Sequence, residues 1–308
     1  MASPATEAES VRVRVAGKIN LALRSGLRRP DGYHQLATVF QAVSVFDEVE
    51  AVWAEPGRFS VRVQGEQAHL VPADDTNLAV KAARLLAAYA GADLPLGVEL
   101  SIRKSIPVTG GMAGGSADAA GALLACAVLW DLDISPDELR ELGAQLGADV
   151  PFCLVGGTAL GTGRGDQLAP ALSRGTYHWV LGFSEGELST PAVFRQFDAL
   201  GLGCDPPEVP PELLNALVSG DPTALGRTLT NDLQTAAVAL RPQLQQLIEA
   251  GVEFGAIGAI VSGSGPTVAF LAANESAAVD LSVRLSSEGL CRAVKRVSGP
   301  VPGARLLS

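Results

Sequence analysis

The sequence predicts two mixed domains of strands and helices that meet near residues 165–175. Three observations carry this. The chain has 308 residues, roughly twice the ~150 of a typical domain. The first hundred residues are dominated by short runs in which apolar and polar residues alternate, the signature of half-buried strands. From about residue 171 the pattern becomes a strand, several helical stretches, and a closing strand–turn–strand–helix–strand series.

In chain order, residues 11–15 alternate with period two, and 17–23 resume the pattern after a glycine. Arg28-Arg29-Pro30-Asp31-Gly32 is turn chemistry. Residues 39–45, 48–53 and 59–63 are further short strands. The first clear helix spans 77–90, with Leu78, Ala82, Leu85, Leu86 and Tyr89 on one face. Val98, Leu100 and Ile102 alternate into a glycine-rich loop, and a nearly apolar helix covers 117–130. Ser135, Pro136 and Glu138 occupy the N-cap, N1 and N3 positions of a helix that Gly147 stops. Strands are expected at 177–183, 257–261, 267–271 and 292–297, with a helix at 275–285.

Hydrophobic residues make up 47% of the chain and charged residues 18%, which excludes a disordered protein. The net charge of −10 supplies no basic footprint for nucleic acid, so a phosphate ligand needs a local device to hold it. Four scattered cysteines fit reduced thiols rather than a disulfide framework, and three isolated histidines argue against a transition-metal site. The start has neither a basic nor an apolar signal region. The apolar run 119–130 is shorter than the ~20 residues that span a bilayer, so no membrane role and a cytoplasmic location are expected.

The most informative stretch is Pro107-Val108-Thr109-Gly110-Gly111-Met112-Ala113-Gly114-Gly115-Ser116-Ala117, between a strand and a buried helix. Small residues let backbone N–H groups approach a ligand closely, and the helix that follows adds its partial positive charge. Together they suit a triphosphate. Ser116 is expected either to cap the helix or to offer its hydroxyl to phosphate or Mg²⁺. The spacing is not that of a Walker A loop, and no His-Arg-Asp or Asp-Phe-Gly triplet marks a protein kinase. Asp149, between a helix and Pro151, is either a partly desolvated carboxylate or a helix cap. Lys18, in an apolar strand pattern, lies at a strand edge, snorkels, or pairs with a buried acid.

Taken in order, these elements resemble the galactokinase, homoserine, mevalonate and phosphomevalonate (GHMP) kinases, with Met112-Ala113 where the family usually has Leu-Gly and Thr109 where glycine is common. Ala16-Gly17-Lys18-Ile19-Asn20-Leu21, Arg29-Pro30-Asp31-Gly32-Tyr33-His34 and Gly147-Ala148-Asp149-Val150-Pro151-Phe152 narrow the likeness to members acting on a cytidine conjugate. The segments 161–166 and 263–267 also fit. The resemblance implies an α+β, two-domain fold. Its N-terminal half (1–170, with 1–10 a disordered tail) would be like the second domain of ribosomal protein S5, and its C-terminal half (171–308) ferredoxin-like, with the active site in the cleft between them.

The resemblance further implies transfer of the γ-phosphoryl of ATP, with Mg²⁺, to the 2-hydroxyl of a cytidine-diphosphate-linked methylerythritol, a step toward isoprenoid precursors by the non-mevalonate route. Lys18 and Asp149 would be catalytic, and 107–117 would hold ATP with Asn77, Leu78 and Lys104 near the adenine. Asn20, Tyr33, His34, Thr190, Pro191 and Phe194 would bind the second substrate. Asn231-Asp232-Leu233 reads as a helix-start cap, and Gly263-Ser264-Gly265 as either a hairpin turn or a closure of the cleft. A monomer or weak homodimer is expected. The competing readings are another small-molecule kinase of the family, such as a homoserine or mevalonate kinase, and a non-catalytic nucleotide-binding or RNA-binding module.

Overall fold

The computed structural model describes residues 10–91 and 95–307. Of the expected tail, residues 1–9 lie outside the described residues, and Ser10 already belongs to the first strand. The two strands expected at 11–15 and 17–23 are one long strand, β1 (Ser10–Arg28). Likewise 39–45 and 48–53 are one strand, β2 (His34–Trp53). Irregularities at Ala16/Gly17, Asn20/Ala22 and Ser25/Arg28 shift the β1–β2 register, which is why the alternation in sequence breaks although the strand continues.

The first half continues with β3 (Phe59–Gly65), helix α1 (Leu78–Ala90), β4 (Val98–Lys104), α2 (Gly114–Leu129), α3 (Pro136–Leu146), α4 (Val150–Val155), β5 (Thr158–Thr162) and β6 (Gln167–Pro170). Strands β3 and β4 pair in parallel across the α1 crossover. The α1 face is rotated from expectation. Ala79, Val80, Ala82, Ala83 and Leu86 are buried, while Tyr89 is exposed and donates its hydroxyl to Glu138. The reciprocal Ser135–Glu138 capping box forms as expected, and with Tyr89 it holds the Glu138 carboxyl down at about 2.

Helix α2 is buried on nearly every side, against α1 and across β1 and β2. Close approach to the sheet requires Gly121. A Cβ there would lie 2.7 Å from Val49 Cγ2 and 3.0 Å from Val15 Cγ2.

The second half holds β7 (Tyr177–Phe183), α5 (Thr190–Ala199), α6 (Pro211–Ser219), α7 (Pro222–Thr228), β8 (Thr230–Asn231), α8 (Gln234–Leu240), α9 (Gln243–Glu253), β9 (Gly258–Val261), β10 (Thr267–Ala272), α10 (Glu275–Ser287), β11 (Ala293–Gly299) and β12 (Arg305–Leu306). Its antiparallel sheet has the order β11-β7-β10-β9. Counted within that half the order is 4-1-3-2, the ferredoxin-like arrangement of a split βαβ unit. Two short strands return to the first sheet. β8 pairs in parallel with Ala22–Leu23, and β12 pairs antiparallel with Val13–Arg14. Between those pairings one edge of β1 is free of strands, and Lys18 N–H there donates to Met112 O of the glycine-rich loop at 3.2 Å.

Candidate active site

A cleft of about 1090 Å³ runs between the two halves. Its volume exceeds that of a typical single-ligand pocket. The first half contributes Lys18, Tyr33, His34, Gly110, Gly114, Ser116 and Asp149 to its walls, and the second half contributes Thr190, Pro191, Phe194 and Ser264.

The loop is held in an unusual conformation. Thr109, Gly111 and Ala113 all have positive φ, at 55°, 72° and 60°. For Thr109 and Ala113 this costs on the order of 1 kcal/mol each. Their departures from glycine therefore do not prevent the left-handed turns. Met112 is fully buried as a plug. At Gly111 a Cβ would sit 2.1 Å from Ser262 O, and Ser262 Oγ donates to Gly111 O at 3.0 Å. The turn 262–266 thus joins β9 to β10 as a hairpin and packs directly on the loop.

Helix α2 begins earlier than expected. Ala113 is its N-cap and has no side-chain acceptor, so the first N–H groups lack a cap. Ser116 is the third helical residue rather than the cap, and it faces the cleft.

On the cleft floor Lys18 is buried, with Nζ 3.8 Å from Asp149 Oδ2, 2.8 Å from Asn20 Oδ1 and 5.2 Å from the Phe40 ring centre. Asp149 is one-third exposed and makes no capping bond to α4, which removes the cap alternative. Asn20 differs from expectation. It is buried, accepts from Lys18 and donates to Thr38 Oγ1, which donates to Ala22 O. That chain fixes the amide, so its first duty is to aim Lys18.

At the far end His34 stacks on Phe194, with ring centres 4.7 Å apart, and its Nε2 lies 2.7 Å from Asp198 Oδ1. Asp198 therefore engages the imidazole on its Nε2 side. Tyr33 is half exposed, and the Arg164 guanidinium lies 3.7 Å from its ring centre. Thr190 Oγ1 and Ser264 Oγ are 2.9 Å apart. Asn231 does not cap α8, whose N-cap is Leu233 with no side-chain cap bond. The Asn231 side chain donates to Val261 O and Gly263 O and accepts from Leu233 N, fixing the 262–266 turn.

The expected adenine group is only partly brought to the cleft. Leu78 lies beside the start of α2, its Cδ1 3.5 Å from where a Gly115 Cβ would be. Asn77 is occupied as the N-cap of α1 and in a bond to Pro72 O. The Lys104 side chain is 1% exposed and lies 2.5 Å from Asp47 and 2.7 Å from Asp118, so its ammonium is engaged inside the protein. Burial alone would lower the Lys104 pKa, but the two carboxylates outweigh it and raise it. Burial pushes the Asp118 carboxyl up to about 8, with the nearby Asp47 charge adding to it against the pull of Lys104.

Sequence reasoning missed Asp47, Asp118, Asp198 and Arg164. Two of them left a signal: Asp118 is the lone charge beside the apolar run from 119, and Asp198 follows Phe194 by four, on the same helix face.

The model of the GHMP kinase N-terminal domain matches residues 77–157, and that of the GHMP kinase C-terminal domain matches 213–289. The chain belongs to the GHMP kinase family. Within it, the chain is 54% identical to a 4-diphosphocytidyl-2-C-methyl-D-erythritol kinase of Nocardia farcinica, over 96% of each chain. It is 52% identical to the protein of that name from Mycobacterium tuberculosis, over 97% of this chain and 93% of the other. A crystal structure of a 4-(cytidine 5'-diphospho)-2C-methyl-D-erythritol kinase superimposes with a TM-score of 0.75 at 32% identity, covering 93% of this chain and 98% of that one. The mevalonate kinase of L. major, with R-mevalonate, reaches a TM-score of 0.76 over 98% and 99% of the chains at 17% identity, which shows the shared fold alone.

Proposed function

We propose that the chain transfers the γ-phosphoryl group of ATP to the 2-hydroxyl of 4-diphosphocytidyl-2-C-methyl-D-erythritol, in the non-mevalonate route to isoprenoid precursors. The observation that carries this reading is the Lys18–Asp149 pair, set in the cleft between a phosphate-type loop and an aromatic end. A tertiary alcohol is a poor nucleophile at neutral pH. Asp149 takes its proton as the oxygen bonds to the γ-phosphorus and the bond to the β-phosphate oxygen breaks, releasing ADP. Lys18 keeps N–H groups beyond its bond to Asn20, and with them it orients the hydroxyl and balances charge on the transferred group. The loop N–H groups and the uncapped start of α2 hold the ATP phosphates. Tyr33, backed by Arg164, and the His34–Phe194 stack offer flat surfaces for a cytosine ring.

Mg²⁺ fits as an ion carried in with ATP. Among the described residues no cluster of three metal-binding side chains exists, but Ser116 faces the cleft. A hydroxyl, completed by phosphate oxygens and water, suits this cation. Bound there, it neutralises phosphate charge.

Among the described residues no helix is long and apolar enough to cross a membrane. A cytoplasmic monomer or weak homodimer is the accompanying reading. A coupled ADP-release assay with the cytidine conjugate, homoserine and mevalonate tests the substrate. Turnover with the conjugate alone is expected, and turnover only with homoserine or mevalonate overturns the reading.

A further inference from the structure

The loop between β4 and α2 has its two ends tied to one place. At the entry, Asp47 Oδ1 accepts from the N–H groups of Ser105 at 2.6 Å and Ile106 at 2.9 Å. The other oxygen of the same carboxylate accepts from Lys104 Nζ. At the exit, Lys104 Nζ reaches Gly114 O at 3.3 Å and Asp118 Oδ2 at 2.7 Å, four residues further along α2. All three side chains are at most 3% exposed.

We propose that Asp47, Lys104 and Asp118 are positioning residues that grip both ends of the phosphate loop and set its shape for ATP. Three features of the loop make such a grip necessary. Thr109 and Ala113 are held in left-handed conformations that L-residues resist. The N-cap of α2 has no side-chain bond to fix where the helix starts. The groups that meet the nucleotide are backbone N–H groups, whose aim depends wholly on the chain path. A buried ammonium between two carboxylates is rigid, because each group is left stranded in a dry interior if another moves. Asp118 Oδ1 has no hydrogen-bond partner. The one side-chain hydrogen bond of that carboxyl is therefore the bond from Lys104. None of the three lines the cleft, so they act through the loop and not on the ligand.

This inference rests on the kinase reading, and the test separates the two. Asp118→Asn keeps the size of the side chain and weakens the grip at the exit. Lys104→Met removes it. ATP affinity is measured by calorimetry, together with KM for ATP, KM for the cytidine conjugate and amide exchange across 108–116, all well below each variant's Tm. Asp118→Asn is expected to weaken ATP binding several-fold and Lys104→Met at least about tenfold, the scale on which sub-ångström misplacement acts. The conjugate KM should change less than about twofold in both, with faster exchange confined to the loop and the start of α2.

A folded Asp118→Asn protein with unchanged ATP affinity and loop exchange overturns the proposal, whatever the fate of Lys104→Met. So does an equal loss of both ligands. Wild-type protein that binds no ATP overturns the kinase reading instead.

Discussion

Lys18 and Lys104 are both buried lysines in strands of the same sheet, yet they sit in opposite kinds of company. Lys104 lies between two fully buried carboxylates and also reaches a backbone carbonyl. Lys18 has one amide at 2.8 Å and a third-exposed carboxylate at 3.8 Å, on the wall of a cleft. The first lysine is saturated and does structural work. The second has unspent donor capacity facing a space that a ligand can enter. Burial of a charge is therefore a poor guide to chemistry by itself. The informative quantity is how much of the hydrogen-bonding capacity is left unused, and where it faces.

The largest effect that would sharpen this contrast is on the Lys18 side. Asp149→Asn is expected to lower kcat by about 10²–10⁴ while leaving ATP affinity within a few-fold. Steady-state kinetics with ATP titration check it, and retention of more than about half of wild-type kcat removes Asp149 as the base. Next in size is stability on the Lys104 side. Lys104→Met leaves buried Asp47 without its cation and Asp118 without its hydrogen bond, and should cost about 3–5 kcal/mol. Lys18→Met strands only a partly solvated carboxylate at 3.8 Å, so its loss should stay within about 1 kcal/mol while kcat falls strongly. Urea denaturation of both variants decides this, and equal destabilisation would erase the distinction between the two lysines.

A smaller effect is read in pH. Burial holds the Asp118 carboxyl above its ordinary range, against the pull of Lys104. The folded state thus keeps that proton more tightly than an unfolded chain, where the group titrates at roughly 3.9. Stability from this group is complete below the unfolded value and is lost as pH rises above it. Asp118→Asn should therefore show a shallower fall of Tm between pH 5 and 8 than wild type, and parallel Tm curves would refute it. The smallest effect is Ala113→Gly, which relieves a φ of 60°. It is expected to change Tm by no more than a few degrees, because relief of strain is offset by the greater freedom of glycine in the unfolded chain. A shift beyond 10 °C, on the order of 3–5 kcal/mol for a domain of this size, would show that this turn does more than shape the loop.

The sequence made the second half's sheet pattern and the glycine-rich loop legible because both rest on local signals, period-two alternation and a density of small residues. Long strands were harder to see. Register shifts at Ala16/Gly17 and Asn20/Ala22 break the alternation that marks a strand. Lys18 and Asp149 were named from motif likeness, whereas their separation of 3.8 Å depends on a sheet edge and a helix junction that no short window contains. The surroundings of Lys104 were hidden for a related reason. Its partners Asp47 and Asp118 lie 57 and 14 residues away, so its neutralised burial appears only once the sheet and α2 are packed.

The pairing of β1 carries a consequence for how the chain is made. One edge of β1 is completed within the first 53 residues by β2, but the other waits for residues 230–231 and 305–306. During synthesis that second edge stays open until residue 306 has left the ribosome. An open strand edge invites pairing with other chains. The nascent first half is thus most vulnerable to aggregation at Val13–Arg14 and Ala22–Leu23, on either side of the point where the phosphate loop settles.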